Sequence, residues 1–419
     1  MNDERRDQSS LLPARGEKAR TRGGERSLGS QSLSPSPQPS PRKRGEGVSS
    51  AIGVISGTSM DGIDVALIES DGEARLKTGP AATFPYPKPV AQRLRAVVAD
   101  SSEAQAPQLE LEREVTDAHV AAVEAFLKRF SIARESVALI GLHGQTILHR
   151  PREGLTRQLC DGARAAATLG LDVVADFRSA DVKAGGEGAP LAPVYHAAMA
   201  AGLERPLMIL NWGGVGNVTY LGLKGEIIAF DTGPANALID DFLASRRGLA
   251  FDDKGMLAAS GRVDPAALAM LMGDPYFDRP APKSLDRNHF SALAACVENL
   301  SDADGAATLS AFTVESTAAA LGHVPQAPAR WLVGGGGRRN PNLMRRLSER
   351  LQVSVEPVEA IGFDGDSIEA QCFAYLALRS RRGLPLSLPT TTGAPKPMTG
   401  GVFWPRPKTK RAPLARGPS

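Results

Sequence analysis

Four short segments of this 419-residue chain combine glycine with hydroxyl, amide or carboxylate side chains. They are GTSMDG at 57–62, WGGVGN at 212–217, DTGPAN at 231–236 and GGGGRRN at 334–340. Small residues let backbone N–H groups approach phosphate oxygens, and Ser or Thr hydroxyls add further donors. Each segment follows an apolar run that is typical of a buried strand. We therefore interpret the four as anion-binding loops that converge on a triphosphate.

The common phosphate-binding motifs do not account for these loops. None matches the GxxxxGK[ST] pattern of a P-loop, and GGVGNVT carries Thr219 where a dinucleotide fingerprint needs its third glycine. Each segment alone also has a simpler explanation. GTSMDG suits a hairpin turn, the GGGG run suits a flexible connection, and Asp231 suits a helix start before Pro234. The occurrence of all four at strand ends favours the phosphate interpretation.

Composition describes a soluble globular protein of two domains, with 42% hydrophobic and 23% charged residues. No apolar run approaches the roughly 18 residues of a membrane helix, and no secretory signal is recognisable. The cysteines Cys160, Cys296 and Cys372 are odd in number and far apart. This spacing favours neither a zinc site nor a disulfide framework, so we expect a cytoplasmic protein.

The charge is concentrated in the two ends of the chain. Residues 1–50 carry +4 and residues 402–419 carry +5, which leaves −6 on the rest of a chain with net charge +3. The remainder therefore offers no argument for nucleic-acid binding. The segment SLSPSPQPSPRKRGEG has little to bury, so residues 1–50 are predicted to be a disordered extension and 402–419 a basic disordered tail. We expect the working protein to start near Ser49.

Between these ends the chain alternates strands and helices, which indicates an α/β fold. The stretch AIGVISGTSMDGIDVALIE reads as strand, glycine-containing turn and strand, and PLMILNWGGVGNVTYLG repeats that pattern. Gly57 and Gly214 are 157 residues apart, about the length of one domain. We predict two duplicated domains, 51–205 and 206–401, whose turns face one cleft. A chance similarity of two hairpins is the alternative.

Seven ordered motifs resemble the anhydro-N-acetylmuramic acid kinase family over about residues 52–402: GTSMDGIDVALIE, GLHGQT, ADFRSADVKAGGEGAPLAP, NWGGVGNVTYL, FDTGPAN, GGGGRRN and TTGAPKP. The resemblance implies two ribonuclease H-like domains in the sugar kinase and actin-like ATPase fold, with a central cleft. It also implies the reaction. ATP phosphorylates O6 of 1,6-anhydro-N-acetylmuramic acid while water opens the anhydro bridge at C1, as a step of peptidoglycan recycling.

The resemblance assigns roles to individual residues. The general base is the Asp of the F-D-x-G-P-x-N motif, here Asp231, because water attack on an anomeric carbon needs a carboxylate. Mg²⁺ would be held by Asp61 or Asp64, through water. The ATP-binding residues are expected to be Gly57, Thr58, Ser59, Met60, Asp61, Gly62, Ile63, Asp64, Gly213, Gly214, Asn217, Gly334, Gly335 and Gly336.

The sugar side is expected to include Glu369, His143, Gln145, Asp176 and Arg178. Glu369 has the alternative of an exposed acid at a helix start, and His143 that of a satisfied polar residue at a strand end. Arg178 either holds the lactyl carboxylate by a two-pronged contact or forms a structural ion pair with Asp176.

The chain departs from the family at Arg338 and Arg339, at Trp212, and in QLCDGAR at 158–164. None of these differences removes the predicted base or the first glycine turn. The alternatives are another sugar kinase of this fold, or a nucleotide-dependent regulatory module. A small amino sugar is the expected partner, and a homodimer is the family expectation.

Overall fold

A computed structural model describes residues 47–57, residue 60 and residues 62–407. The predictions for residues 1–46, for Thr58, Ser59 and Asp61, and for residues 408–419 lie outside the described residues. No helix among the described residues is long and apolar enough to cross a bilayer.

The first sheet is built from the N-terminal part of the chain. Its strands are β1 (Ser49–Ser56), β2 (Ile63–Ser70), β3 (Leu76–Phe84), β4 (Leu139–Arg150), β5 (Leu155–Leu159) and β6 (Val173–Ala175). The helices of this part are α1 (Lys88–Ala99), α2 (Ser101–Gln105), α3 (Leu109–Arg129), α4 (Gly162–Leu169), α5 (Ser179–Lys183) and α6 (Pro193–Met199). Strands β1 to β3 form an antiparallel meander, β4 runs parallel to β1, and β6 runs parallel to β4.

The second sheet repeats this topology. Its strands are β7 (Leu207–Trp212), β8 (Val215–Leu221), β9 (Ile227–Pro234), β10 (Arg330–Gly334) and β11 (Ser354–Pro357). The helices are α7 (Asn236–Arg247), α8 (Met256–Ser260), α9 (Pro265–Met272), α10 (Asp302–Ala318) and α11 (Pro341–Leu351). The order β11-β10-β7-β8-β9 matches β6-β4-β1-β2-β3 in the first sheet, with the same strand directions. The predicted duplicated fold is confirmed.

The end of the chain returns to the first sheet. Its elements are α12 (Ile368–Arg381), α13 (Pro389–Thr392) and β12 (Val402–Trp404), and β12 pairs with β6. Helix α12 packs so closely on this sheet that a Cβ at Gly53 would lie 1.8 Å from the carbonyl oxygen of Ala370. The tail predicted to begin at residue 402 therefore opens with a strand of the sheet. The division at residues 205 and 206 stays a prediction.

Alternation along β1 explains why its apolar run is continuous. Ile52 and Val54 join a hydrophobic cluster that includes Phe126 of α3, whereas Ala51 and Ile55 join the cluster of α12. Successive side chains of a strand point to opposite faces, so a strand covered on both faces needs apolar residues at every position. The ends of such strands are where polar side chains can emerge.

Candidate active site

Two cavities adjoin each other between the sheets. The first, of about 620 Å³, is lined by residues of both sheets, including Gly57, Asp64, Gly214 and Gly334. The second, of about 850 Å³, contains Asp231. Ala189, Pro190 and Asn217 line both cavities, so the two adjoin at those residues.

A row of residues crosses the second sheet from one cavity to the other. Gly334 pairs with Asn211, Asn211 pairs with Asn217, and Asn217 pairs with Asp231. Residues directly opposite each other on neighbouring strands are close and share a face of the sheet. Gly334 and Asn211 line the first cavity, and Asp231 lines the second. The sheet thus fixes the distance between the glycine loop and the predicted base.

Asp231 lies within strand β9, and helix α7 is capped by Ala235. The alternative that Asp231 starts a helix is therefore wrong. The N–H groups of residues 235–237 donate to the carbonyls of Gly213 and Gly214. Because these donors are already used, DTGPAN does not present the start of α7 to a phosphate.

Residues 276–285, which we name the strap, hold Asp231 at three points. The Asp231 N–H donates to the Lys283 carbonyl at 2.9 Å. The Leu285 N–H donates to Asp231 Oδ2 at 2.8 Å, and the Tyr276 hydroxyl donates to the Asp231 carbonyl at 2.6 Å. The carboxylate therefore has a fixed position and orientation at the edge of the second cavity.

Lys283 links the two ends of the strap. Its side chain is only 6% exposed, and its ammonium donates to the carbonyls of Tyr276 and Phe277, each at 3.1 Å. The ammonium also lies 4.7 Å from the centre of the Tyr276 ring. Burial, with the nearby charge of Arg279, lowers the pKa of Lys283 to about 8. Sequence reasoning missed this residue because its contacts are formed only in the folded strap.

Burial raises the pKa of Asp231 to about 7. The N–H of Leu285 acts in the opposite direction, and the negative charge of Glu187 adds to the rise. Glu187 also lines the second cavity, although the sequence did not single it out. A carboxylate with a pKa near neutrality is well matched to act as a general base.

The first glycine turn is described only in part. Gly57 and Asp64 line the first cavity. Met60 and Ile63, predicted to contact the nucleotide, bury their side chains in the hydrophobic cluster of the first sheet. Gly62 packs against Thr83, and neither Met60 nor Gly62 lines the cavity. Any contact from residues 60, 62 and 63 is therefore limited to the backbone.

Gln145, predicted to bind the sugar, is fully buried beneath this turn. Its side-chain oxygen accepts from Ser56 at 2.7 Å, and its nitrogen donates to the Gly57 carbonyl at 3.2 Å. We therefore correct the predicted role of Gln145 from sugar binding to support of the first glycine turn. A bulge explains the error: Val54 pairs with Leu142 but Ile55 pairs with Gly144, so strict alternation breaks down along GLHGQT.

Buried His143 and half-buried Arg178 form a pair at the wall of the first cavity. Arg178 Nε donates to His143 Nε2 at 3.0 Å, and Arg178 Nη1 donates to the Gly188 carbonyl at 2.8 Å. Because arginine can only donate, His143 accepts at Nε2 and donates from Nδ1 to the Gly144 carbonyl. Burial and the Arg178 charge lower the pKa of His143, so it is neutral. His143 orients Arg178 and is not a free donor.

Asp176 does not reach the cavity. Its carboxylate accepts from the N–H of Ser179 at 3.2 Å, in a local turn where Asp176 itself has φ of +54°. Within the described residues it forms no ion pair with Arg178, so that alternative is wrong.

Glu369 and Asp64 place two carboxylates in the first cavity. Glu369 lies in the first turn of α12. The residue is exposed at this helix start, so the alternative of an exposed acid there stays open. Desolvation by the surrounding protein raises its pKa, the charge of Asp64 adds to the rise, and Arg178 opposes it. Asp64 itself accepts from the Thr83 hydroxyl at 2.5 Å. The described residues contain no group of three or more metal-binding side chains, and Asp61 lies outside them.

The glycine-rich loop after β10 supplies Gly334, Gly335 and Gly336 to the first cavity. Gly335 has φ of +71°, and a Cβ there would lie 2.5 Å from the side-chain oxygen of Asn211. Only glycine fits this close approach. The side chain of Asn211 makes no hydrogen bond within the part of the chain that is described. Sequence reasoning missed Asn211, although it stands in the NWGGVGN motif.

Two departures from the family have structural explanations. Arg338 is 5% exposed, pairs with Glu359 and Asp366 at 2.8 and 3.0 Å, and donates to the Gly335 carbonyl at 2.9 Å. It therefore ties the glycine-rich loop to the segment that leads into α12. Trp212 is fully buried, and its indole N–H donates to Thr317 at 3.0 Å.

Comparison with known proteins identifies the family of the chain. The family model described as anhydro-N-acetylmuramic acid kinase matches residues 49–406. The protein of that name from Rhodospirillum rubrum is 52% identical over 365 residues, which is 87% of this chain and 96% of the relative. The protein of that name from Acidiphilium cryptum is 52% identical over 356 residues, 84% of this chain and 97% of the relative.

Among solved structures, component A of (R)-2-hydroxyglutaryl-CoA dehydratase from Acidaminococcus fermentans matches at a TM-score of 0.44 and 10% identity, over 80% of this chain and 99% of that one. This match is too weak to carry an argument, and the fold rests on the strand order described above. The family match and the relatives are sufficient: the chain belongs to the anhydro-N-acetylmuramic acid kinase family.

Proposed function

We propose that this protein uses ATP to phosphorylate O6 of 1,6-anhydro-N-acetylmuramic acid while water opens the anhydro bridge at C1. The products are N-acetylmuramic acid 6-phosphate and ADP, as in peptidoglycan recycling. The observation that carries the proposal is the row Gly334, Asn211, Asn217 and Asp231. It sets a carboxylate base at one end and a glycine-rich loop at the other, across two adjoining cavities.

Asp231 would start the reaction. Its carboxylate takes a proton from a water molecule as the water oxygen bonds to C1. The C1–O6 bond breaks, and O6 keeps the bonding electron pair. O6 then attacks the γ-phosphorus, and ADP departs with the electrons of the broken P–O bond. A pKa of about 7 lets Asp231 be deprotonated at neutral pH and still bind the proton that it removes.

The first cavity would hold the triphosphate. Gly57, Gly214 and Gly334 to Gly336 present backbone at its walls, and the amide of Asn211 is available to a ligand. Mg²⁺ fits beside Asp64, because a cation would relieve the repulsion between Asp64 and Glu369, and we expect contact through water. When bound, Mg²⁺ would neutralise charge on the transferred phosphoryl group.

Glu369 and Arg178 would lie near O6, on the nucleotide side of the junction between the cavities. This placement keeps Glu369 in the predicted substrate contacts. It puts Arg178 beside the reacting oxygen instead of the lactyl carboxylate, because Arg178 lines the first cavity and its Nε and Nη1 already donate to His143 and Gly188. Cytoplasmic location and a homodimer are part of the proposal and rest on the family alone.

Turnover of two sugars tests the proposal. Purified protein with ATP and Mg²⁺ should release ADP with 1,6-anhydro-N-acetylmuramic acid and form the 6-phosphate of the opened sugar. Open-ring N-acetylmuramic acid serves as the comparison substrate and should react poorly. Activity on the open sugar alone would favour the alternative, another amino-sugar kinase of the same fold.

A further inference from the structure

We propose that Arg279 binds the lactyl carboxylate of the substrate and so selects muramic over glucosamine-type anhydro sugars. This inference rests on the proposed function. The 1,6-anhydro-N-acetylmuramic acid ring differs from its N-acetylglucosamine counterpart by one lactyl ether, which carries the only ionised group of the sugar. Discrimination between the two therefore calls for a cation in the cavity that contains the base.

The charges of the second cavity make such a cation necessary. Asp231 and Glu187 both line it, and the effect of Glu187 on the pKa of Asp231 indicates that the two are electrostatically coupled. An anionic substrate would be repelled by these carboxylates unless a cation offset them.

Most cations of this cavity already have partners. Arg150 pairs with Glu153 at 3.6 Å, and Arg287 pairs with Asp241 at 2.9 Å. Lys283 is buried, with its ammonium on two backbone carbonyls. Among the described residues that line the second cavity, Arg152 and Arg279 are the arginines that form no salt bridge. They are the guanidinium groups available to a ligand carboxylate.

The surroundings of Arg279 favour it over Arg152. The Arg279 guanidinium lies 5.5 Å from the centre of the Tyr276 ring. That ring is buried, its hydroxyl donates to the Asp231 carbonyl, and the Lys283 ammonium lies beside it. Arg279 therefore lies within cation–π range of a fixed ring whose hydroxyl also holds the backbone of the base. Arg152 lies in a short 3-10 turn, Pro151–Glu153, with no comparable support.

A guanidinium beside an aromatic ring is well suited to this ligand. Its planar N–H fork can donate two parallel hydrogen bonds to one carboxylate, while the Tyr276 ring stabilises its charge. Because Tyr276 contacts both Arg279 and Asp231, binding of the lactyl group would also orient C1 toward the base. The expected loss on removing this contact is about 10- to 100-fold, as for a hydrogen-bonded charged group.

Steady-state kinetics with two sugars tests the assignment. We would measure kcat/KM of wild type, Arg279→Gln, Arg279→Lys and Arg152→Gln on 1,6-anhydro-N-acetylmuramic acid. The same measurements on 1,6-anhydro-N-acetylglucosamine, or its inhibition constant if it is not turned over, give the discrimination ratio. For Arg279→Gln we expect about 10- to 100-fold lower kcat/KM on the muramic sugar, mainly through KM, with little change on the lactyl-free sugar. Arg279→Lys should fall in between.

Other results would overturn the assignment. An equal loss on both sugars would mean that Arg279 acts on structure, and an unchanged ratio would mean that it does not contact the lactyl group. A collapse of the ratio in Arg152→Gln instead would transfer the role to Arg152. Thermal unfolding checks that the variants are folded. If Arg279→Gln is unfolded, the comparison is made with Arg279→Lys. No ATP-dependent turnover of either sugar by wild type would overturn the proposed function, and this inference with it.

Discussion

Equivalent rows of residues cross the two sheets at the cleft. In the first sheet, Gly144, Ile55, Asp64 and Thr83 occupy β4, β1, β2 and β3 in register. In the second sheet, Gly334, Asn211, Asn217 and Asp231 occupy β10, β7, β8 and β9. Because the strand orders match, Asp64 and Asn217 lie on corresponding strands, and so do Thr83 and Asp231.

The two rows place their acid on different strands. In the first sheet the carboxylate is on the middle strand of the meander, faces the first cavity and accepts from Thr83. In the second sheet an amide takes that position, and the carboxylate is one strand further out, in the second cavity. One backbone arrangement thus offers two positions for an acid. We infer that the first serves the nucleotide and its metal, and the second serves water.

Replacing Asp231, the acid on the third strand of the second meander, should give the largest effect. Asp231→Asn should lower kcat by about 10³-fold, because the amide cannot accept the proton of the attacking water. Nucleotide binding should persist, since Asp231 lies outside the first cavity. Stability above pH 7 should be equal or higher, because burial disfavours the charged carboxylate that the variant lacks. ADP release and thermal unfolding are the measurements.

The equivalent position of the first sheet provides the matched control. Thr83→Val removes one hydroxyl donor to Asp64, and should cost only a few-fold in kcat/KM, as one hydrogen bond does. If Asp231→Asn kept near-normal turnover, or if Thr83→Val were equally damaging, the division of work between the rows would be wrong.

Much of this arrangement could be predicted from local sequence. Strand β9 and its acid follow from the apolar run before Asp231, and the repeated hairpin predicted the duplicated sheets. The strap could not be predicted, because Tyr276 and Leu285 stand 45 and 54 residues from Asp231 and carry no local signal of contact with it. The return of α12 to the first sheet depends on packing against Gly53, a contact that propensity does not indicate.

The position of Gln145 shows a second reason why the sequence alone could not predict the site. Its polar side chain at a strand end suggested contact with a ligand, but the bulge at Gly144, where φ is +75°, turns it beneath the first glycine turn. A single inserted residue reverses the face that each following side chain occupies. The strand end predicted at Gln145 was wrong, because β4 continues to Arg150, and residue type alone did not establish which side chains reach the cleft.

Replacing Asp64, the acid on the middle strand of the first meander, should have an intermediate effect. Asp64→Asn should lower kcat by about 10- to 100-fold, as expected when a charged hydrogen-bonding group is lost. A higher Mg²⁺ concentration should be needed for half-maximal rate, because the variant lacks the carboxylate that we place near the metal. Asn217→Ala, at the equivalent position of the second sheet, should leave the Mg²⁺ dependence unchanged. An unaltered Mg²⁺ titration in Asp64→Asn would remove Asp64 from the metal site.

The smallest effect is expected from replacing Glu187, whose charge acts on Asp231. Asp231 must be deprotonated to act, so kcat/KM should fall as pH drops through about 7. Glu187→Gln removes a negative charge that helps to raise the pKa of Asp231, so this acid limb should move to lower pH by a fraction of a unit. The plateau rate should decline slightly, because Asp231 becomes a weaker base. The shift should shrink in high salt, which screens the charge of Glu187. An acid limb that stays in place at low salt, or moves to higher pH, would mean that burial and the Leu285 N–H alone set the pKa of the base.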